Sequence, residues 1–194
     1  MSKGEATRQR IIAQAAPIFN QRGFAGCSMQ DVMEATGLEK GGLYRHFSGK
    51  EELAAEAFRY SVARAEKVRF DKLDPTQGAL DQLRKIIDRF VNIRSEIAGG
   101  CAIFNTAIEA DDGNPVLRGL ALKALQDWKD RLTRIVQGGI RAGEIRKGTV
   151  PRRVANVLIA TLEGALTMSR LEETTMPLED AQAALENFLA GIAA

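Results

Sequence analysis

The stretch LEKGGLYRHFSGKEEL, residues 38–53, decides how the chain is read. It sets two adjacent glycines, Gly41 and Gly42, among Lys40, Tyr44, Arg45 and His46. Glycine inside a helix costs roughly 1 kcal/mol against alanine, so a short helix that keeps two of them at its start does so for a reason other than its own stability. Upstream, SMQD (residues 28–31) places a hydroxyl at a helix start with Asp31 three residues on, a near match to a capping box, and Thr36-Gly37 closes that helix. Downstream, Ser48 with Glu51 reads as a full capping box that opens a long helix. Helix, glycine turn and short helix make a helix-turn-helix arrangement, whose second helix enters the major groove of DNA. Glycines at its start let backbone N–H groups approach a phosphate closely. Lys40, Tyr44, Arg45, His46 and Lys50 all carry donors for phosphates or base edges, while Leu38, Leu43 and Phe47 fall at the spacing of a core face. By pattern alone, an ordinary Gly-Gly loop beside a half-buried tyrosine fits the same residues.

Working outward, no bounded run alternates apolar and polar residues, and nearly everything reads as helix. A first helix spans residues 7–22, with Ile11, Ala15, Ile18 and Phe19 on one face, a bend expected at Pro17 and a stop at Gly23. The second and third helices are those of the motif, residues 28–36 and 39–47. The fourth runs over residues 50–70, and Pro75 breaks the chain. Helices follow over residues 77–97, from Cys101 to about Asp112, and over residues 116–142. The last of these sets Leu122, Leu125, Trp128, Leu132 and Ile135 toward a core. Residues 152–172 and 178–192 form two more. The expected fold class is all-α with about nine helices.

Composition bounds the function. The chain has 194 residues, is 45% hydrophobic and carries a formal net charge of +2, enough for a sizeable core. Residues 1–50 hold seven Lys/Arg against four acids, a mild excess compatible with a polyanion partner. No apolar run reaches the roughly 18 residues of a membrane span. MSKGEATRQR (residues 1–10) has no apolar stretch behind its charges, which argues against a signal peptide. Cys27 and Cys101 make no disulfide framework, and with the single His46 they give no metal-ligand spacing. A cytoplasmic protein without cofactor or metal is expected. No nucleophile–base pair or phosphate-binding glycine loop supports an enzyme, so a small helical enzyme or carrier is the weaker alternative.

Residues 7–58, TRQRIIAQAAPIFNQRGFAGCSMQDVMEATGLEKGGLYRHFSGKEELAAEAF, resemble the DNA-binding domain of the TetR family of transcriptional repressors. The resemblance rests on IFNQRGF at the end of the first helix, the start at Ser28, TGL at the turn, and KGGLYRHF followed by KEEL. It implies an N-terminal three-helix head over residues 1–50 and a larger helical bundle over residues 51–194 that binds a small ligand and forms a homodimer. It also implies that Ser28, Met29 and Gln30 lie near DNA, together with Lys40, Gly41, Gly42, Tyr44, Arg45, His46 and Lys50. Glu39 departs from the family, standing where a serine cap is frequent, and Cys27 stands where threonine is common and reads as a small buried side chain. What the resemblance implies is a repressor released from a palindromic operator in double-stranded DNA by a small-molecule effector of unknown identity.

In the bundle the resemblance implies an effector pocket, for which Phe90, Cys101, Phe104, Asn105, Trp128 and Met168 are candidates; each also fits plain core. Cys101 follows Gly99-Gly100 and opens a helix, where a thiol can be acidified and react with oxidants or electrophiles. A cysteine-based redox sensor is therefore an alternative input, beside a small buried apolar residue. Small residues interleave with apolar ones in the last two helices, which fits either internal packing or the dimer interface of the family. The fourth helix reads as the only continuous element running from the motif into the body.

Overall fold

The computed structural model describes residues 2–74, 76–110 and 113–194. Among them lie nine α-helices: α1 (Lys3–Gly26), α2 (Met29–Thr36), α3 (Lys40–Tyr44), α4 (Lys50–Phe70), α5 (Ala79–Asn92), α6 (Ala102–Ala110), α7 (Pro115–Ala142), α8 (Pro151–Glu172) and α9 (Met176–Ile192). The all-α expectation holds, and one isolated antiparallel bridge joins Ile145 to Ala193. The expected break at Pro75 and the expected helix end at Asp112 lie outside the described residues. By its contacts the chain divides into two units. One comes from Met1–Ala65 and Ser95–Ala124, the other from Glu66–Arg94 and Leu125–Ala194. Both α4 and α7 contribute residues to each unit, so α4 is not alone in doing so.

In the first unit, α1 begins four residues earlier than the pattern suggests, because Ser2 caps it by accepting from the backbone N–H of Glu5 at 3.2 Å. The non-helical dihedrals inside it fall at Gly23 (φ 74°, ψ 175°), where the stop was expected, and not at Pro17. Ile11, Ile12 and Ala15 of α1 pack with Val32 of α2, with Leu43 and Phe47, and with Leu53 of α4. All are essentially inaccessible, and each buried large side chain contributes about 1.5–3 kcal/mol. Arg8 ties the bundle at its rim: its guanidinium sits 4.8 Å from the Phe47 ring centre and pairs with Glu52 and Glu56 of α4.

The start of α4 corrects the sequence reading. The Ser48 N–H and hydroxyl both donate to Glu52, at 2.7 Å each, and not to Glu51. Glu51 instead accepts from Asn114 Nδ2 at 2.9 Å. A long-range partner has taken the residue that the local motif would use.

In the second unit, α5 is shorter than the expected 77–97. The carboxylate of Glu144 accepts from the Ala79 N–H at 2.7 Å and fixes the start of α5, and Ile93 leaves helical geometry at its end. Along α7, Trp128, Leu132 and Val136 are buried, four residues apart on one stripe. Leu122 is 51% exposed and does not belong to that stripe; the neighbouring buried positions in the first unit are Leu117 and Ala121. Val154, Leu158, Ile159, Leu162 and Ala165 of α8, with Leu178, Ala181, Leu185 and Leu189 of α9, are buried. Met168, Leu171 and Met176 are exposed.

Candidate DNA-binding surface

Local chemistry builds this surface. Ser28 accepts from the Asp31 N–H at 3.1 Å, and the Asp31 carboxylate accepts from the Ser28 N–H at 2.6 Å, a complete reciprocal cap for α2. Arg22 at the end of α1 braces the same carboxylate at 2.6 Å. Gly37 closes α2 in the left-handed region (φ 65°) and turns the chain into α3. Leu43 and Phe47 then anchor α3 in the head core, which leaves the opposite face outward.

That face carries Lys40, Gly41, Tyr44 and Arg45, all exposed, with Gly42 and His46 half-buried. A Cβ added at Gly41 would meet nothing within 4 Å among the described residues beyond its chain neighbours and own helix backbone, whereas one at Gly42 would rest 3.6 Å from Leu38 Cδ2. Of the two glycines, Gly41 is therefore the one that keeps the outward face bare. Lys40 Nζ lies 6.0 Å from the Tyr44 ring centre. Glu39, at the N-cap of α3, makes no capping bond. Ser28 and Gln30 are exposed at the start of α2, although Ser28 is occupied by Asp31 and Gln30 donates to Glu34 at 3.1 Å. Met29 packs against the head core. Lys50, at the start of α4, is half-buried with its ammonium 4.3 Å over the Phe24 ring.

The Asp31 carboxyl is held below its ordinary value of 3.8, first by its hydrogen bonds from Ser28, with Arg22 adding to them. Glu52 is likewise held below 4.5, first by the Ser48 bonds and then by Arg8. Both depressed values mean that the folded head binds the ionised forms more tightly. That stabilisation is complete above the ordinary values and is lost as pH falls through the depressed ones. Acid titration followed by far-UV circular dichroism should show helix loss beginning below about pH 4, and the Asp31→Asn/Glu52→Gln double variant should show a shallower dependence there.

Sequence reasoning missed what fastens α6 to the head. The Glu109 carboxylate accepts from the Phe24 and Ala25 N–H groups, both at 2.7 Å, just past the Gly23 break. Asn20 donates to the carbonyls of Ala98 (2.9 Å) and Gly100 (3.1 Å), and Asn105 donates to Asn20 O (3.1 Å) and Gly99 O (2.8 Å). Gly23 and the Gly99-Gly100 pair were the available signals, because tight backbone approach needs glycine.

The expected pocket residues separate. Phe90 and Trp128 meet in the second unit, with ring centres 6.1 Å apart and planes 17° apart. Cys101, Phe104 and Asn105 belong to the first unit, buried, half-buried and exposed respectively. Met168 is exposed on α8. The second unit also holds an open cleft of about 600 Å³, lined by Phe70, Gln77, Gln82, Arg131, Arg134 and Ile135 among others; none of the six expected residues lines it. Burial, and then Asp31, push the Cys27 thiol above its ordinary 9.0, as suits a packed rather than a reactive cysteine.

The family profile described as "Bacterial regulatory proteins, tetR family" matches residues 11–57, and that described as "Tetracyclin repressor-like, C-terminal domain" matches residues 79–185. The chain belongs to the TetR family of transcriptional regulators. It is 41% identical to a TetR transcriptional regulator from Chloroflexus aurantiacus J-10-FL, covering 100% of this chain and 98% of that one with a TM-score of 0.94. A TetR-family regulator from Cytophaga hutchinsonii is 36% identical, covering 100% and 98% of the two chains with a TM-score of 0.92. The HTH-type transcriptional repressor DhaR of Mycobacterium sp. (strain GP1) is 25% identical over 173 residues, 89% of this chain and 86% of that protein. This TetR-family chain is thus a DNA-binding transcriptional regulator, and the likeness gives the cysteine-sensing alternative no advantage. No helix among the described residues is long and apolar enough to cross a membrane.

Proposed function

We propose that the chain is a cytoplasmic homodimeric repressor, released from a palindromic operator when a small molecule binds. In this reading residues 1–50 are the DNA-binding head and residues 51–194 the effector-binding and dimerising body. The observation that carries it is the outward face of α3, bare at Gly41 and lined by exposed Lys40, Tyr44 and Arg45 over a core anchored by Leu43 and Phe47. Bare backbone and cationic donors suit phosphate and groove contact. Met168 and Leu171, exposed one turn apart on α8, and Met176 at the start of α9 are apolar groups that a two-fold dimer through those helices would cover. The repressor named among the relatives supports the sign of regulation. Effector and operator would oppose each other by a coupling of typically about 1–3 kcal/mol, reciprocal by necessity.

Lys50 tests the reading. As a phosphate contact, Lys50→Ala should weaken binding to all duplex sequences alike and reduce the slope of log K against log salt by about 0.9. Gel shifts at several salt concentrations measure both. An unchanged slope would remove Lys50 from the interface.

A further inference from the structure

The open cleft of the second unit, about 600 Å³ in volume, takes its floor from one stripe of α7. Arg131, Ile135, Gly138 and Ala142 line it at helical spacing, and Arg134 joins them one turn from Arg131. Over the residues from Arg131 to Ala142 the helix rises about 16 Å. Charge sits at one end of that run, and small or apolar groups sit at the other. Phe70, the last residue of α4, and Gln82 of α5 also line the cleft.

Away from the charged end, the polar side chains of the lining have partners within the protein. Gln82 donates to the Gln77 carbonyl at 2.8 Å, and the Gln77 side chain accepts from Lys85. Glu144, the acid of the lining, accepts from the Ala79 N–H at 2.7 Å, where the positive end of α5 offsets its charge. Arg131 is half-buried with its guanidinium 3.9 Å from the Phe70 ring centre, and Arg134 is exposed. Neither guanidinium has a hydrogen bond or an ion pair with another described residue. Two like charges one turn apart repel each other, and one anion between them relieves both.

Gly138 supplies a second, independent observation. Glycine inside a helix costs stability, and α7 holds Gly138 and Gly139 in succession. Packing accounts for Gly139, where an added Cβ would stand 2.6 Å from Ala79 Cβ and 2.7 Å from Ile145 Cδ1. Packing does not account for Gly138, where an added Cβ would meet nothing within 4 Å among the described residues beyond its chain neighbours and own helix backbone. What its bareness does is keep the floor of the cleft open.

We propose that this cleft is the effector site and that its ligand is an amphipathic organic anion. Arg131 and Arg134 hold the anionic head, and the apolar body lies along Ile135, Gly138 and Ala142. The volume suits a small organic molecule. A cation would face two guanidinium groups, and a small anion would leave the apolar floor uncovered. The inference rests on the effector-responsive function proposed above and specifies where the effector binds and its chemical class.

Calorimetric titration of the full-length chain at constant ionic strength tests it. Octanoate serves as the amphipathic anion, octylammonium as its cationic counterpart and acetate as the head alone. Octanoate should bind saturably at one site per chain, at least about tenfold more tightly than either of the others, and Arg131→Gln should weaken it about tenfold. Gly138→Leu should melt no lower than the unaltered chain, because nothing crowds that position. By filling the floor it should weaken octanoate by at least about tenfold. No octanoate binding, equal binding of the three, preference for the cation, or an unaffected affinity in either variant would each overturn the inference. Should Arg131→Gln fail to fold, Gly138→Leu and the probe series on the unaltered chain still decide. Duplex binding without probe is scored separately: a chain that binds DNA but ignores octanoate defeats this inference alone, whereas one that binds no DNA defeats the function beneath it.

Discussion

Gly41→Val should fold as well as the unaltered chain and yet bind operator about a hundredfold more weakly, a loss of about 2.7 kcal/mol. A Cβ added at Gly41 would meet no atom of the described residues within 4 Å beyond its chain neighbours and its own helix backbone, so the packing of the head does not crowd it. Replacing a helical glycine should, if anything, favour α3 slightly. On DNA the two methyl groups would hold the backbone of α3 away from phosphate. Thermal melts and gel shifts on the same preparations separate the two effects. The comparison with Gly42→Val is informative, because the side chain there rests 3.6 Å from Leu38 and turns toward the protein. Gly42→Val should cost less binding than Gly41→Val. Equal operator affinity in Gly41→Val and the unaltered chain would mean that α3 does not approach DNA through this end.

Gly99→Ala is expected to act through the fold. Gly99 has φ 110°, which side chains rarely adopt, and an added Cβ would stand 2.7 Å from the Asn20 carbonyl oxygen and 2.8 Å from its carbon. The obstruction is backbone of α1 and cannot swing aside. Strain and overlap together should cost about 2–4 kcal/mol, or about 5–15 °C in Tm for a chain of this size. The Asn20 and Asn105 bonds to residues 98–100 would loosen with it. A differential scanning measurement with less than about 2 °C of change would show that the 98–100 segment is not held against α1 as described.

What could be read from the sequence follows from the range of the interactions. The cap of α2 was legible because Ser28 and Asp31 satisfy each other within four residues, and the turn was legible because Gly37 supplies the left-handed conformation itself. The core of the head followed from spacing, since Leu43 and Phe47 lie one turn apart. The start of α4 was misread where a distant residue intervened: Asn114 engages Glu51, and Glu52 caps Ser48 instead. The early end of α5 has the same origin. Residues 93–100 are spent on contacts with distant elements, including Glu96 with Arg64 at 3.0 Å and Asn20 with the carbonyls of Ala98 and Gly100. Leu122 was assigned to the core stripe by periodicity, yet only its neighbours Leu117 and Ala121 are buried in that part of α7. On the candidate surface, residue types alone placed Lys40, Tyr44 and Arg45 outward, but which glycine faces out required the backbone. The buried Arg69–Glu163 pair, 3.8 Å apart on α4 and α8, was illegible, because a search for apolar stripes passes over charged residues, and nothing local in either helix announces that the two share a core.

The central claim is that this chain reads a two-fold symmetric DNA site as a dimer. Selection from a random duplex pool with the full-length protein, followed by footprinting of the enriched site, tests it most directly. The enriched site should be a pseudo-palindrome whose half-site centres lie about 10–10.5 base pairs apart or at a multiple of that spacing, protected symmetrically. Failure to enrich any sequence, or an asymmetric site bound by one copy, would contradict it.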